Sequence, residues 1–173
     1  DIKPVTVVVN PAPLVSGVPT NVLCANDLSG TIDITVSGGI SPYIYTWTGS
    51  GVIPTAEDQS GLGAGLYTVA VTDAAGCASS SAQFTITEPS ALTATAVVTD
   101  IPCPGTSTGS IDLTVSGGTP IYSFLWSSGD TSEDLSNIAS GAYSVTITDA
   151  SGCTTITAIT VTELSGTLIV NDI

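Results

Sequence analysis

The chain contains no histidine and no methionine, and its only basic residue is Lys3. Without histidine it can form neither a Ser-His-Asp nor a Cys-His catalytic arrangement, and it lacks a common ligand for zinc. No apolar run approaches the ~20 residues that a membrane-spanning helix requires, and no basic segment precedes an apolar one as in a signal peptide. We therefore expect no enzyme, and we expect any export signal or anchor to lie outside these residues.

Positive charge is nearly absent, because 15 acidic residues and one basic residue give a net charge of −14. Such a chain repels nucleic-acid phosphates and anionic lipid head groups, so we expect no nucleic-acid partner and no direct membrane insertion. The surplus of carboxylates is typical of a soluble, self-repelling extracellular surface, and binding of Ca²⁺ is its alternative use. Aromatic residues make up only 5%, and the abundance of Thr, Ser, Val, Ala and Gly favours strands over helices.

The sequence repeats itself. Five residues separate Cys24 from the segment GTIDITVSGG, and five residues separate Cys103 from the segment GSIDLTVSGG. Trp47 and Trp126 are 79 positions apart, whereas the later residues of the two copies match at an offset of 76, so the first copy has three additional residues after its Trp. A tandem array of small modules favours a spacer or an adhesive stalk over an enzyme.

We place repeat 1 at residues 12–89 and repeat 2 at residues 90–163. Residues 1–11 resemble the last strand of each copy and are interpreted as the closing strand of a preceding module with its linker. Residues 164–173 line up with the opening strands and are interpreted as the first strand of a following module. Each repeat is small for an independent domain and would benefit from a covalent staple.

The four cysteines fall two per repeat, as Cys24 with Cys77 and Cys103 with Cys153. This regularity predicts one disulfide within each repeat and an oxidising, extracellular compartment. If the Trp strand turned directly into the next strand, both cysteines of a repeat would lie at the same end, and such a bond would be possible. An even number of strands would then return the chain to the end where it started, which suits a string of modules poorly, and the sequence leaves this conflict open.

Alternating apolar and polar residues predict half-buried antiparallel strands at residues 31–36, 66–72, 110–115 and 142–148. Tyr67 and Tyr143 follow a glycine at the start of such a strand, as in the tyrosine corner of immunoglobulin-like sandwiches. Trp47 and Trp126 occupy the strand on which these sandwiches carry their core Trp, although a sugar-stacking platform is the alternative. We therefore predict an all-β chain of two tandem immunoglobulin-like antiparallel β-sandwiches with essentially no helix.

The combination of a cysteine, the Gly-Ser-Ile-Asp-Leu-Thr-Val-Ser-Gly-Gly segment, an aromatic strand ending in Trp, and Gly-x-Tyr-x-Val-x-Ile-Thr-Asp-x-x-Gly-Cys resembles the SprB-type repeat. The resemblance covers nearly all of residues 24–163. It implies a surface-exposed repeat region of a very large adhesin or motility filament of gliding Bacteroidota, exported by type IX secretion, and it implies no catalytic residues. The second copy departs from the first at Ile121, where the first copy has Pro42, and the first copy has residues 49–55 in place of a short turn.

Carboxylates are the remaining candidates for chemistry. Adjacent pairs at residues 57–58 and 133–134 recur in both copies, but neighbouring residues on a strand point to opposite faces, which disfavours paired acid-base catalysis. The uncertain candidates for Ca²⁺ are Asp27, Asp73, Asp100 and Asp149, and no EF-hand loop is present. For Asp73 and Asp149 the simpler interpretation is a side chain that caps its own turn. We expect no cofactor, with Ca²⁺ as the exception to test.

These observations predict a structural or adhesive segment of a secreted cell-surface protein, in which each repeat is a disulfide-stapled spacer whose partners are the neighbouring repeats. One alternative is a carbohydrate-binding accessory array of a secreted enzyme, which would use exposed aromatic residues to contact surface glycans. Another is a filament subunit that pairs with identical chains by strand addition through residues 5–10 and 168–171. Burial of Trp47 and Trp126 would argue against the first alternative.

Overall fold

The computed structural model describes residues 10–103 and 105–164, and these residues form β-strands without any helix. The chain divides into two compact units between Glu88 and Pro89. The predicted strands of neighbouring modules at residues 1–9 and 165–173 lie outside the described residues.

The described residues of unit 1, called repeat 1 below, form six strands in two three-stranded sheets. The strands are β1 (Leu14–Thr20), β2 (Gly30–Ser37), β3 (Ile44–Thr48), β4 (Gln59–Leu62), β5 (Gly65–Thr72) and β6 (Ala82–Ile86). One sheet has the order β1-β2-β4 and the other β3-β5-β6, and all pairs are antiparallel.

Unit 2, called repeat 2, has the same arrangement. Its strands are β7 (Thr93–Thr99), β8 (Gly109–Ser116), β9 (Ser123–Trp126), β10 (Leu135–Ile138), β11 (Gly141–Thr148) and β12 (Thr154–Val161). The sheets have the orders β7-β8-β10 and β9-β11-β12. In immunoglobulin nomenclature these are the A-B-E and C-F-G sheets. The prediction of two tandem immunoglobulin-like sandwiches without helix is confirmed.

Each core lies between the two sheets of its own repeat and follows from the alternation in the sequence. Along β2, Ile32 and Ile34 are buried while Asp33 between them is exposed, and along β8 the same pattern recurs. Ten buried hydrophobic residues form the core of repeat 1 and nine form that of repeat 2. Small cores of this size make each large aromatic side chain a major contributor to stability.

The direct turn considered for the Trp strand does not occur, because β3 and β4 belong to different sheets and do not pair. β2 and β5 end at the same end of the sandwich, because Asp73, just after β5, accepts from the Ile40 N–H, which follows β2. Since β3 is antiparallel to β5 and β4 is antiparallel to β2, β3 and β4 run in the same direction. Residues 49–58 therefore carry the chain back along the sandwich between them. The return segment replaces a strand, so six strands take the chain from one end of the repeat to the other.

We call the end where β1 or β7 begins the leading end of its repeat, and the opposite end the trailing end. At the leading end lie the loops 38–43 and 73–77 of repeat 1 and their counterparts 117–122 and 149–153 of repeat 2. At the trailing end lie the β1–β2 loop, residues 21–29, and the β7–β8 loop, of which 100–103 and 105–108 are described. The last strand also finishes there, so the chain enters and leaves each repeat at opposite ends.

The first and last strands of a repeat meet at the trailing end. In repeat 2, the Ile101 N–H donates to the Thr162 carbonyl at 2.9 Å and the Leu164 N–H donates to the Ile101 carbonyl at 2.9 Å, in a parallel bridge. In repeat 1, the Val22 N–H donates to the Thr87 carbonyl at 3.0 Å. Within the described residues, no helix has the length and apolar character to span a membrane.

Candidate functional site: the two ends of each repeat

A buried aspartate organises the leading end of each repeat. In repeat 1, Asp73 is 3% exposed, and its Oδ1 accepts hydrogen bonds from the Ala75 and Cys77 N–H groups at 3.0 and 2.8 Å. Its Oδ2 accepts from the Ile40 N–H at 3.1 Å, across the end of the sandwich. The carboxylate therefore caps its own turn, as the simpler interpretation predicted, and also ties that turn to the loop that follows β2.

Asp149 makes the same set of contacts in repeat 2. Its Oδ1 accepts from the Ser151 and Cys153 N–H groups, both at 2.9 Å, and its Oδ2 accepts from the Thr119 N–H at 2.8 Å. The Gly-Gly pair before this loop is required by geometry, because Gly118 has a φ of +62° and a Cβ there would lie 2.7 Å from Asp149 Oδ2. Tyr122 completes the arrangement by donating to the Gly117 carbonyl at 2.7 Å.

The backbone amides hold the pKa of Asp149 below its ordinary value, with the Thr119 N–H as the largest contributor, followed by those of Cys153, Ser151 and Gly152, while burial acts in the opposite direction. Because the folded-state pKa is lowered, ionised Asp149 stabilises the fold. This contribution is complete above the unfolded pKa of roughly 3.9, and it is lost as the pH falls through the lower folded value.

We expect Asp149→Asn to destabilise repeat 2 most at pH 7 and progressively less as the pH falls below about 4. Urea unfolding between pH 7 and pH 2 measures this in a Trp47→Phe background, where only Trp126, in repeat 2, fluoresces. The matched control is Asp112→Asn, whose exposed side chain lies on the outer face of β8. A difference between Asp149→Asn and wild type that stayed constant with pH would contradict the assignment.

The other acidic candidates lie at the trailing ends. Asp100 Oδ1 accepts from the Thr162 N–H at 2.7 Å, and Asp27 Oδ1 accepts from the Leu28 N–H at 2.7 Å. Glu88, beyond the last strand of repeat 1, accepts from the Asn26 N–H at 2.6 Å. These carboxylates serve as acceptors for the backbone of the loops in which the first and last strands meet.

The described residues contain no group of three or more Cys, Asp or Glu side chains that could hold a metal ion. The four proposed Ca²⁺ ligands are also separated, because Asp73 and Asp27 lie at opposite ends of repeat 1, and Asp149 and Asp100 at opposite ends of repeat 2. The structure therefore does not bring the candidates of either repeat together. Ca²⁺ binding stays the exception to test.

We expect saturating Ca²⁺ to leave the melting temperature unchanged relative to EDTA at the same ionic strength. The reason is that backbone N–H groups already occupy the carboxylate oxygens of Asp73 and Asp149. If Ca²⁺ were present at 100 times the Kd of a binding site, its binding would stabilise the folded state by about 2.7 kcal/mol. Calorimetric melts, with Mg²⁺ as the control, would reveal the corresponding rise in melting temperature. Such a rise with Ca²⁺ would contradict this expectation.

The within-repeat disulfides predicted from the sequence are wrong for this structure. Cys77 and Cys103 are exposed free thiols, whereas Cys24 and Cys153 are disulfide-bonded. Within repeat 1, Cys24 lies in the trailing loop and Cys77 in the leading turn, separated by the length of an eight-residue strand, about 26 Å. A disulfide requires Cα atoms within about 7 Å, so the two cysteines of one repeat cannot pair.

The aromatic residues proposed as core lie where the sequence indicated. Trp47 and Trp126 are 3% and 2% exposed, and their Nε1 groups donate at 2.9 Å to the carbonyls of Ala56 and Ser132. Tyr67 is buried and Tyr143 half-buried, and both hydroxyls donate at 2.9 Å to a carbonyl four residues earlier. Because both Trp rings are enclosed, neither can stack on a sugar, which removes the platform on which the carbohydrate-binding alternative depended.

The structure also assigns roles that the sequence did not reveal. Asp58 and Asp134 accept from the N–H groups of Ile34 and Leu113 at 2.9 and 2.8 Å, beyond the last pair that β4 or β10 makes with its neighbour. The recurrent Glu-Asp pairs thus extend the sheets rather than form a catalytic pair. Their position just before a short strand was the signal available in the sequence.

Gln59 holds the longer return segment of repeat 1. It is 3% exposed, its Oε1 accepts from the Ile53 N–H at 2.8 Å, and its Nε2 donates to the Ile53 carbonyl at 2.9 Å. The matching residue of repeat 2, where the segment is three residues shorter, is the buried Leu135. Glu57 in the same segment accepts a hydrogen bond from Tyr45, and burial together with this carboxylate raises the Tyr45 pKa to about 12.

Strand order, tyrosine corners and buried Trp residues together define a tandem immunoglobulin-like β-sandwich protein. A family model described as the SprB repeat matches twice, at residues 16–52 and 95–131. The resemblance predicted from the sequence is therefore confirmed in both copies. Each match begins in the first strand of its repeat and ends in the segment after the buried Trp.

Solved structures similar to the chain include Ig domains of a cell adhesion molecule. The N-terminal eight Ig domains of Down Syndrome Cell Adhesion Molecule are 15% identical with a TM-score of 0.44, and cover 89% of this chain and 25% of theirs. The extracellular domains 3–5 of Drosophila OTK are 14% identical with a TM-score of 0.39, covering 88% of this chain and 62% of theirs. The amphioxus IgVJ-C2 molecule is 13% identical with a TM-score of 0.34, and the match covers 88% of this chain and 97% of that molecule.

The chain thus spans less than two thirds of the DSCAM and OTK structures. Because these TM-scores are low, the assignment of the fold rests on the strand order and pairing described above. No curated protein sequence matches the chain.

Proposed function

We propose that the chain is a force-transmitting spacer in the repeat region of a large secreted cell-surface adhesin or motility filament, with a structural rather than a catalytic role. The observation that carries this proposal is the path of the chain through each repeat. It enters at the leading end and leaves at the trailing end, so a pulling force is transmitted through every sandwich along its strands.

The hydrogen bonds at the trailing end suit this role. Because the first and last strands run in the same direction, pulling on the two ends of repeat 2 slides β7 against β12. The bonds of Ile101 with Thr162 and Leu164 are then loaded together in shear, rather than broken one after another. Two side chains stabilise the same junctions. Asp100 accepts from the Thr162 N–H in repeat 2, and Asn21 accepts from the Thr87 N–H in repeat 1.

Composition supports an extracellular location. A net charge of −14 with one basic residue keeps long chains apart, and SprB repeats occur in surface proteins. Adhesion itself would belong to other modules of the parent protein or to exposed segments such as residues 49–60. Surface glycans and identical chains remain the partner classes to examine.

Labelling of intact cells tests the location. We expect antibodies against the chain to bind unpermeabilised cells of the source organism, and brief external protease treatment to remove that signal while a cytoplasmic marker persists. Labelling that requires permeabilisation would refute the proposal.

A further inference from the structure

Each repeat carries one cysteine at each of its ends. In the leading turns lie Cys77 of repeat 1 and Cys153 of repeat 2, which match at the offset of 76. In the trailing loops lie Cys24 and Cys103, which match at the offset of 79. Because the ends are a strand length apart, the two cysteines of one repeat cannot bond to each other.

The redox states show that both positions accept a disulfide. Cys153, in a leading turn, and Cys24, in a trailing loop, are disulfide-bonded, whereas their counterparts Cys77 and Cys103 are exposed thiols. In the leading turns the bonded and the unbonded cysteine have the same backbone contact: the Asp73 carboxylate accepts from the Cys77 N–H at 2.8 Å, and that of Asp149 accepts from the Cys153 N–H at 2.9 Å. Each free thiol therefore occupies the position at which its counterpart in the other repeat forms a disulfide.

We propose that Cys77 forms a disulfide with a trailing-loop cysteine, and Cys103 with a leading-turn cysteine, of another repeat of the same type. Such bonds would join repeats end to end and would give the proposed spacer a covalent path through each junction. The proposal deepens the proposed function, because it relies on that function for an oxidising location. Its chemistry can be tested independently of that location.

Bond formation requires a disulfide oxidant such as oxidised glutathione. The Cys77 thiolate attacks the oxidant and releases one reduced glutathione, and the Cys103 thiolate of another chain then attacks the mixed disulfide and releases the second. Two thiols thus lose two protons and two electrons, and the oxidant is reduced to two thiols. In this reaction a second copy of the chain stands in for the other repeat.

Two single variants of the whole chain provide the test. Cys77→Ser retains the trailing thiol of Cys103, and Cys103→Ser retains the leading thiol of Cys77. Each variant alone and an equimolar mixture are incubated with oxidised glutathione, at a salt concentration high enough to screen the acidic surfaces. Thiol-blocked samples are then compared on non-reducing gels, and the linked peptides are identified by mass spectrometry.

We expect the mixture to form heterodimers linked through Cys77 and Cys103. The ratio of heterodimers to homodimers should exceed the value for random pairing several-fold. We expect each variant alone to remain largely monomeric, and the wild-type chain to form a ladder of longer oligomers. Homodimers in the statistical ratio, or no dimers, would overturn the proposal. If the heterodimer forms but intact cells are not labelled, the proposed location fails while the pairing rule stands.

The parent protein distinguishes the two possible sources of the other repeat. Protein isolated from its native cells in the presence of a thiol-blocking reagent is digested and mapped without reduction. Cys77 and Cys103 in disulfides within a species of unchanged mass identify repeats of the same polypeptide, and a reducible increase in mass identifies a second chain. Blocked, unpaired Cys77 and Cys103 would overturn the proposal for the native protein.

Discussion

Trp126→Ala is expected to lower the free energy of unfolding of repeat 2 by about 3–5 kcal/mol, the range for large aromatic residues removed from cores. The ring is 2% exposed within a core of nine buried hydrophobic residues, so its loss leaves a cavity that this small repeat can only partly fill. The Ser132 carbonyl also loses the indole N–H that donates to it at 2.9 Å. At about 4–8 °C per kcal/mol for a domain of this size, the melting temperature falls by at least 12 °C.

Calorimetry in reducing buffer measures this effect in the whole chain. Leu125→Ala is the matched control, because the neighbouring side chain is 57% exposed and its removal should change stability by about 0.5 kcal/mol or less. Fluorescence of Trp47 reports repeat 1 in the Trp126→Ala variant, and we expect its transition to be unchanged, since each core is formed by its own sandwich. A loss below about 1 kcal/mol would show that Trp126 is not a core residue of the kind described.

Asp73→Ala carries the second large effect, with an expected loss of about 2–4 kcal/mol in repeat 1. Removal of the carboxylate leaves three backbone N–H groups, those of Ile40, Ala75 and Cys77, without the acceptor they use in the folded state. Partial access of water to the turn keeps the loss below the sum for three fully buried donors.

Urea unfolding of the Asp73→Ala chain, monitored through Trp47 in a Trp126→Phe background, measures the loss. Asp33→Ala removes an exposed carboxylate from the outer face of β2 and is the matched control, with an expected change of about 0.5 kcal/mol or less. Equal effects of the two substitutions would mean that the leading end depends on net charge and not on the Asp73 hydrogen bonds.

The sequence predicted the parts of the fold that depend on local pattern. Alternation along residues 31–36 identified the buried face of β2, and the Gly-x-Tyr motif identified the tyrosine corner at Tyr67, because both signals lie within a few consecutive residues. The repeat itself fixed the correspondence between Trp47 and Trp126. These features determine which side chains enter the core.

The path between β3 and β4 could not be obtained in the same way. Whether residues 49–58 turn directly or return along the sandwich depends on Gln59, Asp58 and the Trp47 indole, whose partners are backbone groups distant from any recognisable motif. This single connection decides the end at which each later loop lies. The predicted within-repeat disulfides depended on it, because a direct turn would place both cysteines of a repeat at one end, whereas the observed path places them at opposite ends.

Single-molecule force spectroscopy of the two-repeat chain, pulled by its termini in reducing buffer, tests the force-transmitting role most directly. With about 75 residues per repeat at roughly 3.5 Å each, and the length of the folded sandwich subtracted, we expect two separate unfolding events that each release about 220 Å. Asp100→Ala should lower the force of one event, because it removes the acceptor of the Thr162 N–H at the sheared junction of β7 and β12. Gradual extension without discrete events would contradict the proposal that each sandwich bears load.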